Sequence, residues 1–371
     1  MGGLAGRDLY LAQHHTFGTP KDFERFMSTA CQPVIRSQAH PPFFVGVDLG
    51  ATNTKIGIVD DLGQTLSYRT IPTGADDPTG AVKQIAEEVL DTIHVAELQL
   101  PEVAGVGLGA PGPLDLRQGL LLAPVNMPAW HNFPLRDRLA QHCRLPMTFA
   151  NDACAAAYGE YWLGAGRNVH SLVLLTLGTG VGGGIIVEGK LIDGFHGHGA
   201  ECGHIIIDYR DDARMCGCGQ HGHLEAYASG TAIVKRTIEA LDSVMKTSLN
   251  ARMEHGAQLT PKLIAEEAEA GDPLCLEIVL DTARFLAVGI VSLMHTIDPD
   301  AVLLGGAMDF GGRDSPLGRR FLVTVRQEVR RRAFPIPGEQ TTIEYAALGS
   351  DAGYLGAAGL ARAEYQRHHP R

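Results

Sequence analysis

Apolar residues of this chain occur in short, strand-sized runs separated by glycine-rich turns. The segment "FFVGVDLGATNTKIGIVDDLG" predicts a strand, a glycine turn and a second strand, with residues 43–47 and 55–59 as the arms. Further along, "LVLLTLGTGVGGGIIVEGKLIDG" repeats the same order of strand, Gly-Thr-Gly turn and strand. A repeated strand-turn-strand unit predicts two similar α/β domains that face each other.

Helical periodicity predicts the elements around these hairpins. Helices are expected at residues 79–92, 153–163, 230–243, 260–270, 273–296 and 351–365, and further strands at "VAGVGLGA" and "AVLLGGA". Asn151 or Asp152 is expected at the N-cap of the second of these helices. Residues 1–41 are weakly patterned and contain several prolines, so we expect a poorly ordered extension with one short helix near residues 21–29.

Composition narrows the functional classes. The 371 residues are 45% hydrophobic and 20% charged, which is typical of a globular protein with two cored domains. A formal net charge of -11 argues against nucleic-acid or membrane-surface binding. The apolar runs are shorter than the roughly 20 residues of a membrane helix, and the first residues lack a signal-peptide pattern. We therefore expect a soluble cytoplasmic protein with small-molecule partners.

Two turns rich in glycine and threonine, "DLGATNTK" and "LGTGVGGG", have the composition of phosphate-binding loops. Such turns can aim backbone N–H groups at a phosphate, while a carboxylate such as that of Asp48 holds Mg²⁺ through water. Either turn alone is also explained by a plain β-hairpin, but the pair favours a phosphate site. The sequence contains neither a Walker A motif nor a G-x-G-x-x-G within a βαβ unit, which disfavours P-loop and Rossmann enzymes.

The segment "MCGCGQHGHLE" concentrates candidate metal ligands. Cys216, Cys218 and His223, with His204 before them, offer two thiolates and two imidazoles, a set that suits structural, tetrahedral zinc. His221 competes with His223 for the fourth position, and a loop of free cysteines without metal is the other alternative. The seven cysteines are odd in number and mostly scattered, unlike a disulfide framework.

Several motifs together resemble the ROK family of sugar kinases and repressors. They are, in order, "VGVDLGATNTKIGIVD", "GVGLGAPGPLD", "FANDACAAAYGE", "LTLGTGVGGGIIVEGKLIDG", "GAECGH", "CGCGQHGHLEAYASG" and "VLLGGA". The resemblance implies two ribonuclease H-like domains of the actin-like ATPase fold with an interdomain cleft. It suggests a small α/β domain of residues 42–148 plus 346–371, closed by the C-terminal helix, and a large α/β domain of residues 149–345 that carries the zinc loop and the sugar site.

The resemblance also assigns roles to individual residues. Asp152, which on its own is explained as a helix cap, becomes the catalytic base. The residues implied in sugar binding are Asn151, Asp152, Glu201, His204, Glu225 and Asn126. Those implied in ATP binding are Asp48, Gly50, Thr52, Asn53, Thr54, Lys55, Gly178, Thr179, Gly180, Gly305 and Gly306. Those implied in zinc binding are His204, Cys216, Cys218 and His223.

The implied activity is transfer of phosphate from ATP, with Mg²⁺, to the 6-hydroxyl of a hexose, with glucose as the first choice. Kinases for N-acetylmannosamine, N-acetylglucosamine, fructose and allose share most of this residue set. ROK repressors, which sense sugars, carry an N-terminal helix-turn-helix domain, and the segment before Phe43 shows no pair of helical patterns. Polyphosphate stays open as a donor in place of ATP. Family members are commonly homodimers or homotetramers, which is the expected assembly.

Two segments depart from the family pattern. His223 replaces the third cysteine of the zinc motif. In "GFHGHGAECGH", His196 and His198 are added and a glycine and an alanine are exchanged. We expect these two histidines on the loop surface, with substrate contact or a second metal site as the alternatives. Trp130 is expected to pack in the interior.

Overall fold

The computed structural model describes residues 33–241 and 247–370. The strands formed by these residues are β1 (Phe43–Leu49), β2 (Asn53–Val59), β3 (Thr65–Pro72), β4 (Val103–Ala110), β5 (Leu114–Asp115), β6 (Leu120–Leu121), β7 (Met147–Asn151), β8 (Leu172–Leu177), β9 (Val181–Val187), β10 (Lys190–Leu191), β11 (Ala301–Gly305) and β12 (Thr342–Tyr345).

The α-helices of the same residues surround these strands. They are α1 (Pro78–Val95), α2 (Leu135–Cys143), α3 (Asp152–Trp162), α4 (Glu225–Ala228), α5 (Gly230–Leu241), α6 (Ser248–Glu254), α7 (Pro261–Glu269), α8 (Pro273–Ile297), α9 (Pro316–Arg332), α10 (Pro335–Gln340) and α11 (Ala352–His368). Short 3₁₀ turns occur at Arg36–Gln38, Leu100–Glu102, Pro128–Trp130, Cys202–His204 and Gly349–Asp351.

The strands form two five-stranded sheets with the same topology. The first sheet has the order β3-β2-β1-β4-β7 and the second the order β10-β9-β8-β11-β12. In each sheet the first three strands pair antiparallel and the last three pair parallel. The β1–β2 and β8–β9 hairpins are the two repeated motifs of the sequence, so the predicted duplication is confirmed.

Helices α11 and α3 lie between the two sheets. Helix α11 packs on β1 and β4 of the first sheet, and α3 packs on β8 and β9 of the second. The two helices approach each other closely: a Cβ at Gly356 would lie 1.7 Å from the Ala155 carbonyl oxygen. Glycine is therefore required at this crossing, and the small residues of both helices allow the backbones to meet.

The core consists of apolar clusters on each sheet. One cluster gathers the buried faces of β1, β2, β4 and α1, and the larger one gathers β8, β11, α8 and α9. Because both faces of the central strands are covered, Phe43–Leu49 and Leu172–Leu177 read as nearly continuous apolar runs. No helix of the described residues is long and apolar enough to cross a membrane.

The predicted N-terminal extension is described only in part, because residues 1–32 and the helix expected near residues 21–29 lie outside the described residues. The segment that follows contacts the first sheet, since the Val34 amide donates to the Thr65 carbonyl and the Asp61 amide to the His40 carbonyl, both at 2.9 Å. Residues 33–370, with the gap noted above, form one compact unit. The domain boundaries drawn from the sequence therefore stay a prediction.

Candidate active site

A cleft of about 980 Å³ brings together residues that are far apart in the sequence. Ten of the residues predicted for the sugar and ATP sites line it: Asn126, Asn151, Asp152, Gly178, Thr179, Gly180, Glu201, His204, Glu225 and Gly306. They come from both halves of the fold, because Asn126 lies between β6 and β7, Asn151 ends β7 and Asp152 follows it, whereas the others follow strands of the second sheet. The cleft therefore has the composition expected of a site for a polar ligand.

The start of helix α3 places two polar side chains in the cleft. Asn151 is the N-cap, and its Oδ1 accepts hydrogen bonds from the amides of Ala153 at 2.9 Å and Cys154 at 3.4 Å. Asp152 is the first helical residue, and its Oδ1 accepts a bond of 2.8 Å from the Ala153 amide. Because Asn151 is the cap, Asp152 is not needed for that role.

Asp152 has the electrostatics of a general base. The pKa of Asp152 is raised from the ordinary value of 3.8 to about 6, chiefly by burial. The bond from the Ala153 amide opposes this rise, and the charges of Asp48 and Glu201 contribute to it. A carboxyl group with a pKa close to neutrality is able to take a proton and release it again at physiological pH.

The second glycine turn borders the cleft and is fixed to helix α5. The Gly178 amide donates to the Gly180 carbonyl at 3.0 Å and closes the turn. The Gly178 carbonyl accepts from the Gly230 amide at 2.8 Å, and the Thr179 carbonyl accepts from the Thr231 hydroxyl at 2.9 Å. The turn is thus held rigidly with its backbone at the cleft.

The first glycine turn is formed as predicted but borders the cleft only through Ala51. The remaining predicted ATP residues, Asp48, Gly50, Thr52, Asn53, Thr54, Lys55 and Gly305, are not part of the cleft lining. Thr54 is fully buried and its hydroxyl lies 2.9 Å from that of Thr73, so in this conformation it is not available to a phosphate. Burial raises the pKa of Asp48 and the charge of Lys55 lowers it, while the Lys55 ammonium donates to the Ser350 carbonyl.

Glu225 connects the cleft to the loop that carries Cys216 and Cys218. Its Oε2 accepts a 3.0 Å bond from the Val181 amide, directly after the second glycine turn. Its Oε1 lies 3.3 Å from the Cys216 thiol. Glu201 also lines the cleft, with its Oε2 4.0 Å from the His204 Nε2. The carboxylates of Glu201 and Glu225 therefore each lie beside a predicted zinc ligand, His204 and Cys216 respectively.

The four predicted zinc ligands, His204, Cys216, Cys218 and His223, come together, with ligand atoms all within 4.8 Å of one another. The His204 and His223 Nδ1 atoms are 3.2 Å apart, and the Cys218 thiol lies 3.3 Å from the His223 Nδ1. His221 is not in this group and uses its Nδ1 on the Ala213 carbonyl at 2.9 Å. The alternative ligand His221 is therefore disfavoured.

The chemistry of this group fits a soft divalent cation. Two thiols and two imidazoles at this spacing are the donors that zinc prefers. Burial raises the pKa of the Cys216 thiol to about 12 when no cation is present. A thiolate at this buried position consequently needs a bound cation, because metal binding and thiol deprotonation are coupled.

The comparison with known proteins identifies the chain. A model of the ROK family matches residues 44–364. The chain belongs to the ROK family. A glucokinase from Halalkalibacterium halodurans is 32% identical over 321 residues, which are 86% of this chain and 95% of that protein. A xylose repressor from Caldicellulosiruptor bescii is 29% identical over 85% of this chain and 77% of that protein. The ROK family therefore includes both kinases and regulators among the relatives of this chain.

Solved ROK structures share the fold. A ROK hexokinase from Thermus thermophilus superposes with a TM-score of 0.75 at 31% identity, covering 88% of this chain and 99% of that one. A ROK family glucokinase from Streptomyces griseus, solved with glucose and AMPPNP, has a TM-score of 0.69 at 34% identity, covering 86% and 99%. The predicted α/β fold of the actin-like ATPase type is confirmed by these likenesses.

Two of the departures from the ROK pattern, His196 and His198, differ in their relation to the cleft. His196 is exposed, packs edge-on against Phe195 and does not line the cleft. His198 is also exposed but does line it. Neither belongs to a metal-binding group among the described residues, which disfavours a second metal site. Trp130 is fully buried, with its indole N–H bonded to the Ala75 carbonyl, so its predicted packing role is confirmed.

The exchange of glycine and alanine in this loop leaves Ala200 at φ 63°. The left-handed backbone conformation destabilises a residue that has a Cβ by about 1–2 kcal/mol. Glycine avoids this strain, but part of the gain is lost because glycine has more conformational entropy in the unfolded chain. We expect Ala200→Gly to raise the free energy of unfolding by about 0.5–1 kcal/mol. Thermal or urea unfolding measures this. Ala270→Gly, at an exposed helix end with φ -71°, is the matched control and should not stabilise the protein. A loss of stability in Ala200→Gly would contradict the prediction.

Sequence reasoning missed several cleft residues. Asp193, Ser229, Thr231 and Lys235 all line the cleft. Thr231 and Lys235 are four residues apart near the start of α5, so they share one helix face. That spacing is visible in the ROK segment "YASGTAIVK" once the helix start at Gly230 is known.

Proposed function

We propose that the protein is an ATP-dependent hexokinase that converts glucose to glucose 6-phosphate. The observation that carries the proposal is the cleft that Asp152, with its raised pKa, shares with the residues predicted to bind the sugar and with the second glycine turn. A kinase needs a base beside the acceptor hydroxyl and a rigid turn beside the phosphates. The glucokinase relatives and the structure with glucose and AMPPNP support this choice of acceptor and donor.

In the proposed reaction, Asn151, Glu201, His204 and Glu225 bind the sugar hydroxyls and orient the 6-hydroxyl toward the ATP. Asp152 accepts the proton of that hydroxyl as its oxygen attacks the γ-phosphorus, and ADP leaves with the electrons of the broken bond. The backbone of residues 178–180 faces the phosphates, and Gly306, which lines the same cleft, lies at the nucleoside. Mg²⁺ carried with the ATP neutralises the charge on the transferred phosphoryl group.

We propose that His204, Cys216, Cys218 and His223 bind zinc. Bound there, the ion supplies no chemistry to the transfer and fixes the position of the loop, and through it the positions of His204 and Glu225. Support for this role comes from the two contacts described above, His204 at the cleft and Cys216 against Glu225. The family resemblance further leads us to propose a cytoplasmic homodimer or homotetramer, which sedimentation of the purified protein would measure.

The proposal is tested by ADP release with MgATP against glucose, mannose, fructose, allose, N-acetylglucosamine and N-acetylmannosamine. We expect the highest kcat/KM for glucose. A preference for another of these sugars would keep the kinase assignment and overturn the choice of glucose. Sugar binding without turnover would overturn the kinase assignment with ATP, and polyphosphate is then tested as donor in the same assay.

The raised pKa of Asp152 predicts the acid side of the pH profile. A base acts only when deprotonated, so kcat/KM should fall about tenfold per pH unit as the pH drops below about 6. Burial also raises the pKa of Asp193, another carboxyl group of the cleft, so Asp193 is the other group whose titration could cause such a fall. Asp193→Asn is therefore the control, and its kcat/KM should fall with pH in the same way as that of the wild type. Activity that stays constant down to the ordinary aspartate range would contradict the assignment.

A further inference from the structure

In the loop between β10 and the 3₁₀ turn at Cys202–His204, the residues before Glu201 border the cleft without a role in the proposed reaction. The loop contains Phe195, His196 and His198, and of these only His198 lines the same cleft as Asn151 and Asp152. We propose that His198 is a specificity-determining residue, which accepts a hydrogen bond from a ring hydroxyl of the bound hexose through its Nε2. The inference rests on the proposed hexokinase function and deepens it.

The hydrogen bonding of the imidazole decides which nitrogen is available. The His198 Nδ1 lies 3.0 Å from the His196 carbonyl oxygen. A carbonyl oxygen only accepts, so the Nδ1 carries the proton and donates it. In the neutral ring the Nε2 then presents a lone pair. Since the Nδ1 is bonded to its own loop, the Nε2 is the atom left for a ligand in the cleft, and it requires a donor such as a hydroxyl.

The loop is held in place by contacts to the hairpin that follows β4. A Cβ at Gly197 would lie 3.1 Å from the Leu116 side chain, so the backbone of the loop packs directly on that residue. The Arg117 guanidinium carbon lies 4.1 Å from the centre of the Phe195 ring, a cation–π contact. Both contacts hold residues that precede His198, and they connect its loop to the hairpin after β4. Together with the bond from the His198 Nδ1 to the His196 carbonyl, they position the imidazole before the sugar binds, which is what a specificity contact requires.

The surroundings of His198 suit a ligand rich in hydroxyl groups. The carboxylates of Asp152 and Glu201 line the same cleft and can only accept hydrogen bonds when ionised. A further acceptor at His198 adds to this set. Such a site favours a sugar whose hydroxyls donate around the ring, and it disfavours one in which the hydroxyl facing His198 is absent or alkylated.

The test compares His198→Ala with His196→Ala in the full-length protein. His196 offers only its backbone carbonyl to His198 and does not line the cleft, so it is a matched control two residues away. We expect His198→Ala to raise the sugar KM and dissociation constant about three- to tenfold, the effect of one neutral hydrogen bond. The kcat and the KM for ATP should stay within about twofold. His198→Gln, which keeps a side-chain acceptor, should recover part of the affinity.

A series of monodeoxyglucoses identifies the partner hydroxyl. For one of them the loss caused by His198→Ala should disappear, because the hydrogen bond is already missing. An equal loss with every deoxy sugar, an unchanged sugar KM in His198→Ala, or an equal effect of His196→Ala would each overturn the inference. A wild-type protein that turns over no hexose would instead overturn the proposed function, so the two failures are distinguishable.

Discussion

Replacing Asp152 with asparagine is expected to lower kcat by about 10²- to 10⁴-fold, the usual contribution of a general base. The amide has the same shape and no basic oxygen, so it cannot take the proton of the attacking hydroxyl. Its oxygen still accepts the bond from the Ala153 amide, and the helix keeps its cap because Asn151 supplies it. The sugar dissociation constant should therefore change little. Single-turnover kinetics, which report the transfer step without product release, give the cleanest measurement.

Asp193→Asn is the control for this substitution, because it removes another carboxylate from the same cleft. We expect its kcat to stay close to that of the wild type. An Asp152→Asn variant with more than about a tenth of the wild-type transfer rate would show that another group accepts the proton. A large loss of sugar affinity together with a small loss of rate would instead make Asp152 a substrate ligand only.

The topology follows from patterns that are readable in the sequence. The β1–β2 and β8–β9 hairpins stand out because both faces of these strands are buried, which makes the apolar runs long and continuous. Helix α9 is not among the predicted helices. Its buried residues Leu317, Phe321, Val325 and Val329 recur every four positions, but arginines occupy several of the other positions and reduce the apolar signal. Strand β3 is missed for a similar reason, since its second half is mostly exposed.

The candidate site depends on contacts that no local pattern specifies. The fourfold cluster around Cys216 is predicted from residue types, and the structure brings its members together. The position of the first glycine turn could not be predicted in this way. Asp48 lies against helix α11, where a Cβ at Gly353 would come within 2.3 Å of its Oδ2. That contact joins residues that are far apart in the sequence, so only the folded arrangement shows that this turn borders the cleft through Ala51 alone.

Replacing Cys216 and Cys218 with serine is expected to remove the metal and to weaken sugar binding. Elemental analysis should show about one zinc per chain in the wild-type protein and almost none in the double variant, because two hydroxyls are poor substitutes for two thiolates. The sugar KM should rise about 10- to 100-fold, the usual effect of losing the support of a metal site. The KM for ATP should change much less, since residues 178–180 are held by α5.

The reason for this asymmetry lies in the contacts of the cluster. His204 belongs both to the cluster and to the cleft lining, and the Cys216 thiol lies against Glu225, whose other oxygen accepts from the Val181 amide. Releasing the loop therefore frees two side chains that we place on the sugar. Asp152 and its helix are not part of the cluster, so the kcat at saturating sugar should fall less than the affinity.

Two histidines of the same loop provide the matched pair for this prediction. His223→Ala should lose zinc and sugar affinity, whereas His221→Ala should keep both, because the His221 Nδ1 is bonded to the Ala213 carbonyl. Zinc retained in the double cysteine variant would show that the ligands lie elsewhere. Zinc lost without any change in the sugar KM would show that the metal only stabilises the loop. The proposed link from Cys216 through Glu225 to the sugar would then be wrong.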